Sequence, residues 1–330
     1  MRSGFIPTAS AVVLLLTRLA AGQARQQPHL NHVIDLLEHN QPVFGVYWPA
    51  NGGGRRGGEA PPPRPAINLA KDALGYAAAD YYFSGSMEGG VDRGLPAYMD
   101  FTKALLEAAG QSRTPFFGLK HPLIVKTPKI ATDPARAIDN ISRELNVGAS
   151  GIMFVEAESA EEVRQGLTAM RFASKGGTRP DDVGAAPGFW GMTVQQYKEK
   201  ADLWPLDPAG ELINWTIVES KEGLAHVREI AAVKGIGVLW PGAGTLRGVF
   251  STTNAAGERV VDTVAHENAI QQVLAACKEF RVPCGYPANA SDIETRMKQG
   301  FSVFVMNWGD AGFKAVETGR KAAGRPATTR

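Results

Sequence analysis

Between residues 42 and 307 the chain alternates between two patterns of hydrophobic and polar positions. Short, nearly continuous apolar or β-branched runs are each followed by a longer stretch in which apolar residues recur at helical spacing. The first pattern is typical of buried parallel strands, and the second is typical of amphipathic helices that cover them. The sequence therefore predicts eight strands, at residues 42–48, 78–85, 121–127, 151–156, 212–219, 235–240, 282–286 and 301–307.

Eight strand–helix units favour an α/β fold that closes into a (β/α)₈ barrel, the TIM barrel. Such a barrel commonly occupies about 250 residues as one domain, and we predict a single barrel domain at residues 25–322. A doubly wound open sheet is the alternative, because it also alternates buried strands with helices. One helix is predicted to begin at a capping box, formed by Ser159 and Glu162.

Three segments interrupt this alternation. Residues 51–65, rich in glycine, proline and arginine, follow the first strand and are predicted to form a mobile loop on the catalytic side. Residues 175–211 are long and mixed, which is typical of a functional lid or of a poorly ordered loop. Residues 323–330 are predicted to be a disordered tail.

The N-terminus has the order of regions found in a secretory signal peptide. Arg2 precedes the apolar run 11–17, and the small residues of 20–24 follow it. The run is shorter than the roughly 20 residues that span a bilayer. We therefore predict a signal peptide at residues 1–24 and an exported protein, either periplasmic or secreted.

Charge and composition exclude some classes of partner. A net charge of +2 provides no field that would concentrate nucleic acid or an anionic membrane around the protein. The sequence has no zinc-finger spacing and no basic stripe interleaved with aromatic residues. Neither a nucleic acid nor a membrane is therefore expected as a partner, and a small molecule is.

The chain contains two cysteines, Cys277 and Cys284. An exported protein could oxidise them to a disulfide. Because one lies in a predicted helix and the other in the next predicted strand, we predict two buried free thiols instead.

Ionisable side chains follow several predicted strands at their C-terminal ends, where barrels of this kind carry their active sites. Carboxylates there could hold Mg²⁺, Mn²⁺ or Co²⁺, and the cation would polarise the carbonyl of a 2-oxo acid and stabilise its enolate. A lysine would add positive charge beside the developing oxyanion. The alternative is a set of salt bridges that closes the barrel. The side chains are Glu88, Lys126, Glu156, Glu158, Glu219, Asn307 and Asp310, together with the glycine turn PGAGTLRG (241–248).

Several segments, spread over residues 30–322, together resemble the HpcH/HpaI aldolase and citrate lyase β-like family. The resemblance implies a (β/α)₈ barrel, assembly into trimers or hexamers, and divalent-metal chemistry on 2-oxo acids such as pyruvate. The segments that carry it are SMEGGVD (86–92), GASGIMFVEAESAEEVRQGLTAMRF (148–172), GGTRP (176–180), INWTIVESKEGLAHVREIAAVKGIGVLWPGAGTLRG (213–248) and HENAIQQVLAACKEFRVPCGYPANASDIETRMKQGFSVFVMNWGDAGF (266–313).

The family's metal and substrate positions are only partly kept. Glu219 falls where the family has its first metal carboxylate, whereas Thr245 stands in place of the second, an aspartate. Gly242 and Ala243 fall on the glycine and proline of the substrate-binding turn. We predict Gly242, Ala243 and Thr245 as substrate-binding residues, with Glu219 and Glu156 as metal ligands.

The family's catalytic positions are also altered. Lys126 falls near the arginine that polarises the substrate carbonyl, so the positive charge is kept but the planar fork is lost. Glu88 matches the acid of a Glu-His pair, but Gly89 stands where the catalytic histidine belongs. We predict Glu88 and Lys126 as catalytic residues, with Glu88 or water moving protons.

These features favour a carbon–carbon lyase that acts on a small 2-oxo or hydroxy acid through an enolate stabilised by a divalent metal. One alternative is a catalytically impaired barrel that binds a small carboxylate without turnover. Another is a hydrolase or isomerase that uses Glu88 and Glu219 as an acid–base pair.

Overall fold

The computed structural model describes residue 1, residues 28–50 and residues 63–326. Nearly all of the predicted signal peptide, most of the predicted loop at 51–65 and the last four residues of the predicted tail lie outside the described residues. No helix among the described residues combines the length and the apolar character that a membrane crossing requires.

All eight predicted strands are present, with bounds that differ by a few residues from the predicted ones. The described part of the chain contains three further short strands. The strands are β1 (Val43–Tyr47), β2 (Tyr82–Ser84), β3 (Leu123–Thr127), β4 (Gly151–Phe154), β5 (Leu203–Trp204), β6 (Leu212–Val218), β7 (Val238–Pro241), β8 (Ser251–Thr253), β9 (Arg259–Val261), β10 (Gly285–Pro287) and β11 (Val303–Met306).

Eight of these strands form a parallel barrel. Their order is β1, β2, β3, β4, β6 and β7 on one side and β1, β11 and β10 on the other. A parallel bridge between Leu239 in β7 and Cys284, the residue before β10, joins the two ends. The prediction of a (β/α)₈ barrel is confirmed. Strand β5 pairs with the start of β6, and β8 and β9 form a separate antiparallel hairpin.

Helices alternate with the barrel strands and cover their outer faces. Short 3₁₀ turns lie at Gly110–Ser112, Ile130–Thr132 and Ala173–Lys175. The α-helices of the described residues are α1 (His32–Glu38), α2 (Ala66–Gly75), α3 (Val91–Ala109), α4 (Phe117–Lys120), α5 (Pro134–Asn146), α6 (Ala160–Met170), α7 (Ala186–Trp190), α8 (Val194–Lys200), α9 (Lys221–Ala225), α10 (Val227–Ala231), α11 (Ala243–Val249), α12 (Thr263–Phe280), α13 (Ile293–Gln299) and α14 (Asp310–Ala322).

Two apolar cores follow from the alternation of side chains along each strand. The larger core lies between the strands and the surrounding helices. The smaller core fills the barrel interior with large side chains such as Trp215 and Trp240, whose rings lie 4.9 Å apart. Helix α1 precedes β1 and contributes Val33 and Ile34 to this inner core. Helix α1 therefore closes the N-terminal end of the barrel interior.

The segment 175–211 is neither a lid over the catalytic end nor poorly ordered, so that interpretation was wrong. It contains α7, α8 and β5 and lies between α6 and the start of β6, at the N-terminal end of the barrel. Trp190 is fully buried, and its indole nitrogen donates to the carbonyl of Gly148, 3.0 Å away. Burial of its aromatic residues holds the segment against the strand ends. Arg179 of the GGTRP motif also lies here, buried against the ring of Phe172.

The two cysteines form a disulfide between Cys277 and Cys284, so the prediction of free thiols was wrong. The helix that carries Cys277 ends four residues before Cys284, and the turn between them brings the two Cα atoms to 5.7 Å. That separation lies within the range that a disulfide spans. The bridge ties the end of α12 to the segment that closes the barrel.

The first four residues of the predicted tail belong to the folded domain. Both terminal nitrogens of Arg325 contact the carboxylate of Asp80, at 2.6 and 2.7 Å. Arg320 of α14 lies 3.2 Å from the same carboxylate, and the backbone N–H of Phe44 donates to it at 2.8 Å. Asp80 is 2% exposed. It therefore joins the C-terminal segment to the strands at the closed end of the barrel.

Glu144 of α5 is a fully buried carboxyl group behind β3. Neither of its oxygens has a hydrogen-bond partner at ordinary distance in the described structure. Burial raises the pKa of Glu144 well above the ordinary value, because the charged form loses its hydration. Folding therefore favours the protonated form of Glu144.

Glu144→Gln is expected to gain stability relative to the parent protein as the pH rises above the unfolded pKa of Glu144, about 4.3. The unfolded chain loses the proton of Glu144 above this value, whereas the folded chain retains it to higher pH, so parent stability falls as the pH rises. Glutamine does not ionise, so it removes this fall. Urea unfolding at several pH values measures the difference. A difference that does not change with pH would contradict the assignment of a neutral Glu144.

Candidate functional site

The alternation that fills the barrel interior also places ionisable side chains at its C-terminal end. Inward-facing positions on β6 are Ile213, Trp215 and Ile217, and the next position in phase is Glu219. On β3, Ile124 faces inward, and so does Lys126 two residues later. These two charged groups therefore lie above the apolar interior on separate strands.

A cavity of about 190 Å³ opens at this end of the barrel. Its floor is made of inner-core side chains, and its wall is made of residues at strand ends and of the first turn of α11. Lys126 and Glu219 both line it, as predicted for a shared site. The lining residues are Tyr47, Phe83, Lys126, Met153, Ile217, Glu219, Trp240, Pro241, Gly242, Ala243, Gly244, Thr245, Pro287 and Val305.

Lys126 and Glu88 form an ion pair beside the cavity. The Nζ atom of Lys126 lies 2.9 Å from Oε1 of Glu88. The lysine side chain is 14% exposed and the glutamate side chain is 41% exposed. The structure thus brings the two predicted catalytic residues together, with the ammonium in the cavity wall and the carboxylate closer to solvent.

Glu219 is a buried carboxylate that points into the cavity. Its Oε1 accepts a hydrogen bond from the backbone N–H of Glu156, 3.1 Å away. A Cβ atom at Gly242 would lie 2.7 Å from Oε2 of Glu219, so this position requires glycine. Oε2 has no hydrogen-bond partner in the described structure. Because Glu219 lines the cavity, this oxygen is available to a cation or to a donor group on a ligand.

Glu156 contributes its backbone to the site, and the structure gives no support to its predicted role as a metal ligand. Glu156 has a positive φ of 47°, which turns its backbone N–H toward Glu219. Its side chain is about half exposed and extends toward Lys129, with Oε2 3.6 Å from Nζ. Lys129 also binds Glu158. Because Met153 and Val155 face inward, Glu156 is one residue out of phase with the cavity.

The three predicted substrate-binding residues all line the cavity. Gly242 precedes α11, and Ala243 and Thr245 lie in its first turn. Backbone N–H groups in a first helical turn have no partner within the helix. His266 of α12 supports this turn from outside, with Nε2 2.8 Å from the carbonyl oxygen of Ala243. Thr245 is exposed at the edge of the cavity, where the family has an aspartate.

Gly89 leaves no side chain where the family has its catalytic histidine. A Cβ atom at this position would lie 2.2 Å from Nη2 of Arg93. The arginine side chain therefore crosses the space that a larger residue at position 89 would enter. No histidine lines the cavity among the described residues.

Tyr47 lines the cavity and was not among the predicted site residues. It is the last residue of β1, in phase with the inward-facing Val43, and its ring meets Phe83 edge-on at 5.1 Å. Burial raises the pKa of Tyr47; Lys126 opposes this increase, and the carboxylate of Glu88 adds to it. Side chains along residues 43–47 alternate between the two faces of the strand, and this alternation is the sequence signal that could have identified Tyr47.

The described side chains that line the cavity fit a divalent cation only if oxygens of a bound substrate complete its coordination. Among the described residues there is no group of three or more His, Cys, Asp and Glu that could hold a metal ion. Mg²⁺ commonly keeps several waters and binds through one or two carboxylates plus oxygens of the substrate. Glu219, with one oxygen facing the cavity, fits as the single protein ligand of such a cation.

Solved structures share this fold at low sequence identity. A family protein from Burkholderia cenocepacia J2315 is 20% identical, with a TM-score of 0.60, over 84% of this chain and 92% of that one. An HpcH/HpaI aldolase from Desulfitobacterium hafniense DCB-2 is 16% identical, with a TM-score of 0.58, over 83% and 89%. Macrophomate synthase is 18% identical, with a TM-score of 0.55, over 84% and 82%.

A comparison with curated proteins finds no match. The model of one protein family matches residues 119–305, which is more than half of the chain. The matched range includes Lys126, Glu219 and the turn at Gly242, which meet in the cavity. The chain therefore belongs to the HpcH/HpaI aldolase/citrate lyase family.

Proposed function

We propose that the protein is a carbon–carbon lyase that releases a small 2-oxo acid, such as pyruvate, from a 4-hydroxy-2-oxo acid. The observation that carries the proposal is the meeting of the Lys126 ammonium and the Glu219 carboxylate in one cavity of about 190 Å³. A cavity of this size suits a small acid. Membership of an aldolase and citrate lyase family supports the same reaction class.

The positive charge of Lys126 would stabilise the enolate oxygen that forms when the carbon–carbon bond breaks. The unpaired N–H groups at the start of α11 would hold the carboxylate of the acid. Glu88 lies 2.9 Å from Lys126 and, as the more exposed partner, would accept the proton of the substrate hydroxyl. Apolar residues such as Trp240 and Ile217 form the cavity floor and would exclude water beneath the enolate.

A divalent cation is part of this proposal. Glu219 would hold Mg²⁺, Mn²⁺ or Co²⁺ through the oxygen that faces the cavity. Bound there, the cation would polarise the carbonyl of the acid and add to the stabilisation of the enolate. Because Lys126 lines the same cavity, the cation alone should bind weakly and bind better together with the acid.

The test is pyruvate release from a panel of 4-hydroxy-2-oxo acids with each of the three cations, comparing the parent protein with Glu219→Ala. We expect Glu219→Ala to lower kcat/KM by about 100-fold or more, because it removes the only carboxylate among the described residues that line the cavity. Glu156→Gly is the matched comparison. It keeps the N–H that holds Glu219, suits a positive φ and removes only a side chain outside the cavity. It should keep most of the activity.

A barrel that binds a small carboxylate without turnover is the second candidate, favoured by Gly89 and Thr245 at two altered family positions. Calorimetric titration of pyruvate into the protein separates the candidates. Pyruvate binding without release of pyruvate from any substrate, with any of the three cations, would contradict the lyase and support the binding barrel.

The proposal includes export and self-assembly. Export to the periplasm or the medium rests on the sequence of residues 1–24, and the Cys277–Cys284 disulfide supports it because disulfides persist in oxidising compartments. Assembly into a trimer or hexamer rests on the family resemblance. Intact-mass analysis of the natural protein and light scattering would measure the two properties.

A further inference from the structure

The loss of the family histidine leaves the proposed reaction without an obvious proton donor for the carbon of the enolate. Among the described residues that line the cavity, the titratable side chains are Tyr47, Lys126 and Glu219. Lys126 is paired with Glu88 and would stabilise negative charge, and Glu219 would hold the cation in the proposed function. Tyr47 is the remaining group.

The position of Tyr47 suits this task. As the last residue of β1 it stands at the same end of the barrel as Lys126 and Glu219, and its ring is fixed edge-on against Phe83. Tyr47 as a whole is 36% exposed, so the ring is anchored while part of the residue remains accessible. Its hydroxyl has no hydrogen-bond partner in the described structure and can donate to a ligand.

We propose that Tyr47 is the catalytic acid that protonates the enolate carbon, in place of the missing histidine. The inference rests on the proposed lyase function. The upward shift of the Tyr47 pKa agrees with it, since the phenol then holds its proton until a strongly basic carbon accepts it.

The steps balance without a further reactant. Glu88 takes the proton of the substrate 4-hydroxyl, and the bond between C3 and C4 breaks. The aldehyde leaves, and the electron pair of the broken bond forms the enolate. The enolate carbon takes the proton of the Tyr47 hydroxyl and becomes the methyl group of pyruvate. The proton held by Glu88 then returns to the tyrosinate through solvent, which restores both residues.

The reverse of the last two steps provides the test. In D₂O, Tyr47 should pass its proton to Glu88 through solvent and the resulting tyrosinate should remove a methyl proton of pyruvate, so the protein should exchange these protons for deuterium, as followed by ¹H NMR. Tyr47→Phe deletes only the hydroxyl and should slow the exchange by about 100-fold or more. Calorimetry should show unchanged pyruvate binding, because the ring still packs on Phe83. Tyr286→Phe is the matched control, since that hydroxyl contacts Arg296 outside the cavity and its loss should not change the exchange rate.

The outcomes are distinct. Exchange by Tyr47→Phe at the parent rate would overturn the inference while leaving the lyase intact, and so would a loss of exchange that only reflects lost pyruvate binding. If the parent protein catalyses neither exchange nor cleavage, the proposed function itself fails, and the role of Tyr47 fails with it. Slowed exchange with retained binding supports both.

Discussion

Lys126→Met is expected to lower kcat/KM for cleavage of a 4-hydroxy-2-oxo acid by about 100- to 1,000-fold, the effect of removing one group that stabilises an oxyanion in a shielded site. Methionine is similar to lysine in length and removes the charge from the cavity wall. The partner Glu88 is 41% exposed, so water can solvate it and the fold should lose little stability. The measurement is steady-state pyruvate release.

Two further variants make this experiment specific. Lys126→Arg keeps the charge and restores the residue type found in the family, so it should retain far more activity than Lys126→Met. Lys129→Met removes a nearby lysine that is bound to Glu158 and does not line the cavity, so it should change activity little. If Lys126→Met and Lys129→Met lose equal fractions of the activity, any positive charge near the site, and not Lys126 in particular, supports the reaction.

Asp80→Ala is expected to lower the free energy of unfolding by about 3–5 kcal/mol, because it leaves buried cationic groups without their partner. The side chains of Arg320 and Arg325 are 7% and 13% exposed, and Asp80 is their common carboxylate. Asp72→Ala is the matched control. Its ion pair with Arg64 is also short, at 2.7 Å, but both side chains are more than one-third exposed. The control should lose about 1 kcal/mol or less.

The contribution of Asp80 should also depend on pH in a defined direction. Burial by itself raises the pKa of Asp80, but hydrogen bonds from His32 and Arg325 outweigh burial and hold the pKa below its ordinary value. The stabilisation is therefore present above the unfolded value of about 3.9 and is lost as the pH falls through the lower folded value. Denaturant unfolding between about pH 7 and pH 2 measures it. The stability gap between parent and Asp80→Ala should narrow in the acid range, and a gap that stays constant would contradict this account.

The fold could be predicted because it depends on a repeated local pattern. Each of the eight barrel strands is an apolar run long enough to be recognised, and a helix-like stretch follows most of them. Lys126 and Glu219 were identified because they lie at the C-terminal ends of predicted strands, and the structure shows that both also extend the inward-facing row of their own strands.

Three expectations differ from the arrangement in the structure for a shared physical reason. Glu156 was chosen for its residue type and its place after a strand, but a positive φ and the phase of β4 turn its side chain toward Lys129. Residues 175–211 have the composition of a lid, yet chain order places them before a strand and thus at the closed end. The cysteines looked unpaired because a predicted helix and strand separated them, and the turn between these elements brings them together.

The sequence by itself determined the eight barrel strands, the barrel and the family, because strand and helix periods are local and a repeated pattern leaves few ways to bury its apolar faces. Only the tertiary structure decided which side chains share the cavity, that Glu219 is held by the backbone of Glu156, and that Asp80 anchors the C-terminal segment. These contacts join residues 63 to 245 positions apart. Their geometry depends on barrel closure and strand register, which no local pattern contains.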